Sequence, residues 1–328
     1  MRLKENTTQK CWSLTEILNL FNMPFFDLVS KSRKVYEENW NTNQIQVAQL
    51  MNVKTGGCPE KCAYCPQSAH YNTFVEKQPM DTAEDVYKAA KAAKEKGISR
   101  FCVAMAWRGP TEKDLGKAID MIKAIKSLDM QACCTMGLLK DGQAEQLKEA
   151  GLDFYNHNID TSEEYYENIV STRTFQDRID TLHKVDAAGI NTCSGGIIGM
   201  GESIEDRAKM LLSLHKLPKP PLSVSLNWLI RFEGTDLEDR PAPDKIEFLR
   251  VIAVARIMFP KSYVRLTGGR IELSEEMQAF AFYIGVNSIH YGMKVLMSEN
   301  RAPQDDESLL KKLDLQKIPV EEALDYAA

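Results

Sequence analysis

Residues Asp81 to Trp107, DTAEDVYKAAKAAKEKGISRFCVAMAW, hold a helix and a strand in immediate succession. Asp81 with Glu84 three residues later resembles a capping box, and Val86, Ala89, Ala90 and Ala93 follow the i, i+3, i+4, i+7 spacing of one helix face. Gly97 closes the helix, because glycine accepts the left-handed turn that ends one. Arg100 to Ala106 then reads as a short buried strand. A single unit of this kind leaves the fold open, and its repetition decides it.

Repetition is present. Further candidate strands are Ile45 to Val53, Met130 to Met136, Leu152 to Asn158, Asn191 to Ile197, Ser223 to Ile230, Ser262 to Thr267 and a short one at Ser288 and Ile289. Amphipathic stretches lie between them: Leu115, Ala118, Ile119 and Ile122 after Thr111, and Phe175, Ile179, Leu182 and Val185 before Gly189. Strands that alternate with helices in this way close into a (β/α)8 barrel of the TIM type, with a doubly wound open sheet as the alternative. The expected organisation is a helical cap at 1–44, with helices at Ser13 to Phe21 and Phe25 to Trp40, the barrel at 45–292, and a charged, mobile C-terminal tail at 293–328.

Composition narrows the class. The chain has 328 residues, 44% hydrophobic and 27% charged, with a net charge of −5, so it offers no broad basic surface for nucleic acid. No apolar run reaches the roughly 18 residues of a membrane span, and MRLKENTTQKCWS lacks the apolar centre of a signal peptide. A cytoplasmic location is expected, where clustered cysteines serve as metal ligands or catalytic groups rather than disulfides.

The first strand runs into GGCPEKCAYCPQS, which places Cys58, Cys62 and Cys65 in C-x3-C-x2-C spacing on one loop. In a barrel that loop lies on the C-terminal face, where active sites form. One reading is a structural zinc loop completed by His70. The other is an iron-sulfur cube, whose four irons would outnumber three thiolates and leave one iron open to a further ligand. Three more cysteines, Cys102, Cys133 and Cys193, fall on candidate strands at separations of one and two βα units. Alternation puts Cys133 and Thr135 on one face and Cys134 on the other, and it groups Asn156, Asn158 and Asp160, and Ser225 with Asn227. Polar residues in the middle of apolar strands cost free energy unless something bonds them, and an interior ligand would do so. From the residues alone the three strand cysteines are either small buried hydrophobes or a second metal site.

The C-x3-C-x-aromatic-C loop after a first strand resembles the radical S-adenosylmethionine enzymes. The wider set KTGGCPEKCAYCPQS, RFC, GLDFYNHNIDT, STRTFQDRIDTL, CSGGIIGMGE, SYVRLTGGR and NSIHYG, spread over about residues 50 to 292, resembles the biotin synthase family within them. That resemblance implies a radical sulfur insertion into dethiobiotin. It assigns Cys58, Cys62 and Cys65 to a 4Fe-4S cluster that cleaves S-adenosylmethionine, and Cys102, Cys133, Cys193 and Arg265 to a 2Fe-2S cluster that donates sulfur. It further implies that Asn158 and Asn227 hold the ureido ring of dethiobiotin and that Asp160 binds the ribose of S-adenosylmethionine. Tyr64, Ile197 and Ile230 would then lie near its adenine and Arg178 near its methionine carboxylate. Expected partners are a reduced flavodoxin or ferredoxin type electron donor, iron-sulfur assembly proteins and a second copy in a homodimer. Met105 and LTGGR depart from the family pattern without touching a cluster ligand.

Other features read as structure. Gly195 to Gly201 fails the G-x-G-x-x-G pattern because Ile204 holds the third glycine position, so it is a tight strand-to-helix turn that also lets backbone approach a ligand. His157, His183 and His215 read as structural or exposed histidines.

Overall fold

A computed structural model describes residues 10–327. In chain order the elements are α1 (Leu14–Phe21), α2 (Phe25–Asn39), β1 (Gln44–Lys54), α3 (Ala83–Lys94), β2 (Arg100–Met105), α4 (Glu112–Lys126), β3 (Gln131–Thr135), α5 (Gln143–Glu149) and β4 (Phe154–Asn156). They continue through α6 (Glu163–Tyr166), α7 (Phe175–Ala187), β5 (Asn191–Ile198), α8 (Ile204–His215), β6 (Ser223–Trp228), α9 (Lys245–Met258), β7 (Tyr263–Leu266), α10 (Glu275–Ile284) and β8 (Ser288–Tyr291). After these come β9 (Lys294–Val295), β10 (Ser298–Glu299), α11 (Pro303–Lys312), β11 (Gln316–Lys317) and α12 (Val320–Ala327).

Strands β1 to β8 pair in sequence order, all parallel, and β8 returns to β1 through Gln46 opposite Ser288 and Ala48 opposite His290. The sheet is therefore a closed (β/α)8 barrel, and the open doubly wound sheet is excluded. Closure leaves no strand edge and divides the apolar side chains into two populations. Val103, Cys134 and Tyr155 point outward into the layer between strands and helices, while Ala48, Cys102, Cys133, Phe154 and Cys193 pack together inside.

The expected helix after β1 forms, with its cap one residue later than the sequence implied. Thr82, not Asp81, is the N-cap: its hydroxyl accepts from the Asp85 amide, and the Asp85 carboxylate accepts from the Thr82 amide. The short Asp85 side chain completes this reciprocal pair, so Glu84 is left to pair with Lys88 on the surface. Candidate strand Leu152 to Asn158 is shortened to Phe154–Asn156. Its continuation peels off the barrel into Asp160, whose φ of 68° is a left-handed value that Asp tolerates better than most side chains.

Helices α1 and α2 pack along α8, α9 and α10 on the flank of the barrel. This explains α9, whose residues Phe248 to Met258 are apolar on nearly every side: one face meets β6 and β7, and the opposite face meets α2. Arg256 in this helix is fully buried and donates to the carbonyls of Gly285, Phe259, Pro260 and Ser262 and to Asn287 Oδ1, tying the end of α9 to the starts of β7 and β8.

The expected mobile tail is instead folded. All but Asp306 of its charged residues are at least partly exposed, whereas Leu309, Leu310, Ile318 and Ala323 are buried, and β11 extends the sheet by pairing with β1 at Gln44 and Ile45. Trp40, Tyr263 and Tyr326 pack at tilted and edge-on angles with ring centroids 4.9 to 5.0 Å apart and, with Ile318 and Ala323, form an apolar cluster. Arg270, after β7, makes two hydrogen bonds to Asp306 of α11 at 2.6 and 3.1 Å, and both residues are 1% exposed. Removing one member of such a pair strands a buried charge. The Asp306→Ala variant should therefore lose about 3–5 kcal/mol of unfolding free energy in urea titration.

Candidate active site

The cysteine loop is rigid before any ligand is considered. Gly56 adopts φ 69° and lies so close to the backbone of Glu76 that a Cβ would come within 2.7 Å of its oxygen, so only glycine fits. Cys58 N donates to Gln67 O at 2.9 Å and Ala69 N to Cys58 O at 2.7 Å, folding the loop back on itself. A second segment clamps it: Ala63 N donates to Ile169 O, and Lys61 N to Thr172 Oγ1. The buried Glu60 carboxylate accepts from Thr172 and from Arg108 Nη1 at 2.8 Å. Arg173 completes the clamp with Nη2 3.5 Å from Cys62 Sγ. None of Glu60, Arg108 or Arg173 had any distinguishing signal in the sequence, because they act through the fold.

The donor set suits a multi-iron group better than zinc. His70 is exposed, and its Nε2 lies 3.0 Å from Pro59 O, bonded to the loop's own backbone. Among the described residues no three His, Cys, Asp or Glu side chains converge as ligands of a single metal ion. A cube attaches its thiolates to different irons, so its ligands stay apart. Burial raises all three thiols above their ordinary range, Cys65 to about 12 with the neighbouring Cys62 adding to the effect. Without a bound cation these groups stay protonated, and a metal centre is what ionises them.

Deeper in the barrel, β2 and β3 place Cys102 directly opposite Cys133, and Cys193 on β5 closes the group. All three are at most 2% exposed. Contact with Cys133 holds the Cys102 thiol below its ordinary range, and contact with Cys102 together with burial pushes Cys133 well above it. Ser225 Oγ is 3.1 Å from Cys193 Sγ. Arg265, 1% exposed, spans this level: Nε donates to Ser288 Oγ at 2.7 Å, Nη2 to Gln46 Oε1 at 2.9 Å, and Nη1 lies 3.9 Å from Cys193 Sγ. Among the described residues Arg265 forms no ion pair, which its chemistry would otherwise lead one to expect. Arg100 lies beside it with its guanidinium carbon 3.4 Å from the centre of the Phe154 ring, and both of its terminal nitrogens are buried without a hydrogen-bond partner. Sequence reasoning missed Arg100, since the start of a strand is an ordinary place for a solvated arginine.

Beside the loop cysteines lies one cavity of about 1150 Å³ including its open mouth, and the deeper cysteines sit beneath it, behind Leu50 and Ser225. Its wall includes Cys58, Cys62 and Cys65 together with Leu50, Asn158, Ser225, Asn227 and Thr267. The Asn158 Oδ1 atom is buried and unpartnered. Asn227 is already heavily used: Oδ1 accepts from Thr267 Oγ1 and from Gly268 N, and Nδ2 donates to Gly196 O at 3.0 Å. Asp160 accepts from Arg178 Nη2 and from Tyr64 OH at 2.9 Å, and Arg178 Nε donates to Tyr166 OH at 2.7 Å. Sequence reasoning named Asp160, Arg178 and Tyr64 separately, and the fold joins them in one network. A smaller apolar pocket of about 570 Å³ opens beside the cavity, lined by Tyr64, Ile197, Trp228, Ile230 and Phe232. His157, read as structural or exposed, is buried at the cavity border. The glycine run works by close approach: a Cβ on Gly196 would meet Met210 Sδ at 2.1 Å and Asp160 O at 2.5 Å.

Comparison with known proteins agrees with this architecture. Residues 52–214 match the Radical SAM superfamily, and residues 225–316 match the Biotin and Thiamin Synthesis associated domain. The chain is 53% identical over 316 residues to a biotin synthase from Neorickettsia sennetsu, covering 96% of this chain and 97% of the relative. It is 52% identical over 314 residues to one from Pasteurella multocida, covering 96% and 94%. Among solved structures, methylornithine synthase superposes with a TM-score of 0.81 at 18% identity, with 96% of each chain covered. The FeFe-hydrogenase maturase HydG from Carboxydothermus hydrogenoformans gives 0.80 at 18% identity, covering 94% of this chain and 76% of that one. Those two likenesses speak to the barrel alone. With half its length identical to these relatives from end to end, the chain belongs to the biotin synthase family of radical S-adenosylmethionine enzymes.

Proposed function

We propose that this chain converts dethiobiotin to biotin, with Cys58, Cys62 and Cys65 holding a 4Fe-4S cluster at the mouth of the cavity and Cys102, Cys133, Cys193 and Arg265 holding a 2Fe-2S cluster at its floor. The observation that carries the reading is that one thiol triad lines a cavity inside a closed barrel while a second, buried triad lies directly beneath that cavity, against the lining residues Leu50 and Ser225. When bound, the first cluster supplies the electron that splits S-adenosylmethionine into methionine and a 5′-deoxyadenosyl radical, and the second supplies the sulfide that enters the product.

The chain's own groups bind, orient and shield. Arg178 lies in reach of a carboxylate, the Asp160 carboxylate suits a pair of ribose hydroxyls, and Tyr64, Ile197 and Ile230 offer an apolar slot for adenine. Binding of that kind redirects the Asp160, Tyr64 and Arg178 network from internal partners to the ligand. Asn158, with its free carbonyl oxygen, and Asn227, with its remaining N–H, are suited to a cyclic urea. Leu50, Ala104 and Met105 give this part of the wall apolar side chains, and the surrounding barrel keeps a carbon radical from water. Arg100 and Arg265 surround the deeper thiols with positive charge and no competing carboxylate. A low-potential donor of the flavodoxin or ferredoxin type would deliver electrons, and assembly proteins would restore the consumed sulfide. The family resemblance also supports a homodimer working in the cytoplasm, where thiols stay reduced.

Two experiments on anaerobically reconstituted protein test the assignments. Cys62→Ala should abolish S-adenosylmethionine cleavage, whereas Cys193→Ala should keep cleavage and lose both 2Fe-2S absorption and biotin formation. A Cys193→Ala protein that makes biotin at the normal rate would overturn the sulfur-donor assignment. Asn158→Ala should lower kcat/KM for dethiobiotin roughly 5- to 100-fold, the equivalent of about 1–3 kcal/mol for an unmatched buried polar group.

A further inference from the structure

His290 is an inward residue of β8 that no cluster or cofactor role accounts for. It is 3% exposed, it lines the main cavity, and its Nδ1 is buried with no hydrogen-bond partner. Buried ring nitrogens are normally paired, so an unpaired one on a ring that lines a cavity marks a place where a ligand completes the bond. Its backbone, by contrast, is pinned: the His290 carbonyl accepts from Arg270 Nη1 at 2.7 Å and from Asn300 Nδ2 at 3.2 Å. Arg270 is itself fixed by Asp306 and Gln278. The ring is thus presented from a rigid support, as a positioning group needs.

Its height in the barrel says what it faces. Ser288, the preceding inward residue of β8, bonds Arg265 at the level of the deep thiols, and His290 is one inward step nearer the mouth, opposite Ala48. That step reaches the layer of Asn227 and Thr267, one inward position above Ser225 and Arg265 and on the wall of the cavity. Burial first, and then Arg265, Arg100 and Arg270, hold the imidazole well below its ordinary pKa, so it is neutral. A neutral imidazole carries one donor and one acceptor. Sulfur atoms of a cluster would use only the donor, whereas a cyclic urea offers both N–H and C=O. Near this level Asn158 Oδ1 and Asn156 Oδ1 are unpartnered acceptors, and Asn227 has most of its capacity occupied.

We propose that His290 is a substrate-positioning residue whose ring hydrogen-bonds the ureido group of dethiobiotin, an inference that rests on the function proposed above. The test compares His290→Phe, which keeps ring volume and removes both nitrogens, with His290→Gln, which keeps a donor and an acceptor. Iron content close to wild type qualifies each protein, and His290→Asn replaces either that fails to reach it. His290→Phe should raise KM for dethiobiotin about 5- to 20-fold with kcat changed less than about 2-fold, and His290→Gln should stay within about 3-fold of wild type. The Phe variant should also release more 5′-deoxyadenosine per biotin, while its cleavage of S-adenosylmethionine without dethiobiotin stays unchanged. An unchanged KM in His290→Phe overturns the proposal, as does an equal KM rise in both variants accompanied by altered 2Fe-2S absorption. Wild-type protein that forms no biotin would instead overturn the underlying function.

Discussion

Two guanidinium groups without carboxylate partners, Arg100 and Arg265, are enclosed at the floor of the barrel beside three thiols. Burying a cation with no counter-ion costs several kcal/mol; Arg256 offsets this with five carbonyl oxygens, whereas both terminal nitrogens of Arg100 have no partner. Burial and the neighbouring Arg265 lower Arg100 to a pKa of about 10, which still leaves it charged at neutral pH. The positive floor is therefore a standing demand for negative charge. Three thiolates carrying an oxidised two-iron core would meet it, since the thiolates outweigh the core's positive charge. A purely apolar core would have had no reason to place two arginines there.

The closed parallel register is what turns this demand into a site. Because β2 and β3 align Cys102 with Cys133, and β7 and β8 align Arg265 with Ser288, residues far apart in sequence share one level. The loop after β1 is held from the opposite side by Ile169, Thr172 and Arg173, so its three thiols face the same space from above. Val295 and Leu296, from the β9–β10 hairpin, complete the wall, and Arg270 with Asp306 ties the segment beyond them to β8. A barrel interior thus becomes a cavity with one thiol triad on its wall and a second beneath it.

Much of this was legible in the chain itself. Eight βα units, the cysteine loop and the inward phase of Cys133, Asn156 and Asn227 all follow from local spacing, which the fold preserves because strands alternate with a period of two. What was not legible depends on contacts distant in sequence. Arg100, Arg173 and Glu60 acquire meaning only from partners on other elements. His157, read as structural or exposed, is buried with its ring 6.1 Å from that of the outward Tyr155, and its place on the cavity border was not legible. The tail was read as mobile because its surface charge obscured four buried apolar residues, Leu309, Leu310, Ile318 and Ala323. His290 could have been found by stepping two residues on from Ser288, but the sequence carried no sign that its ring lacked a partner.

The central claim is that the sulfur of the product comes from a cluster held by this chain. Protein reconstituted with isotopically heavy sulfide, freed of excess, and turned over once with dethiobiotin in light sulfide provides the direct measurement by mass spectrometry. The account predicts heavy sulfur in the first biotin formed. Biotin carrying light sulfur from solution would contradict it.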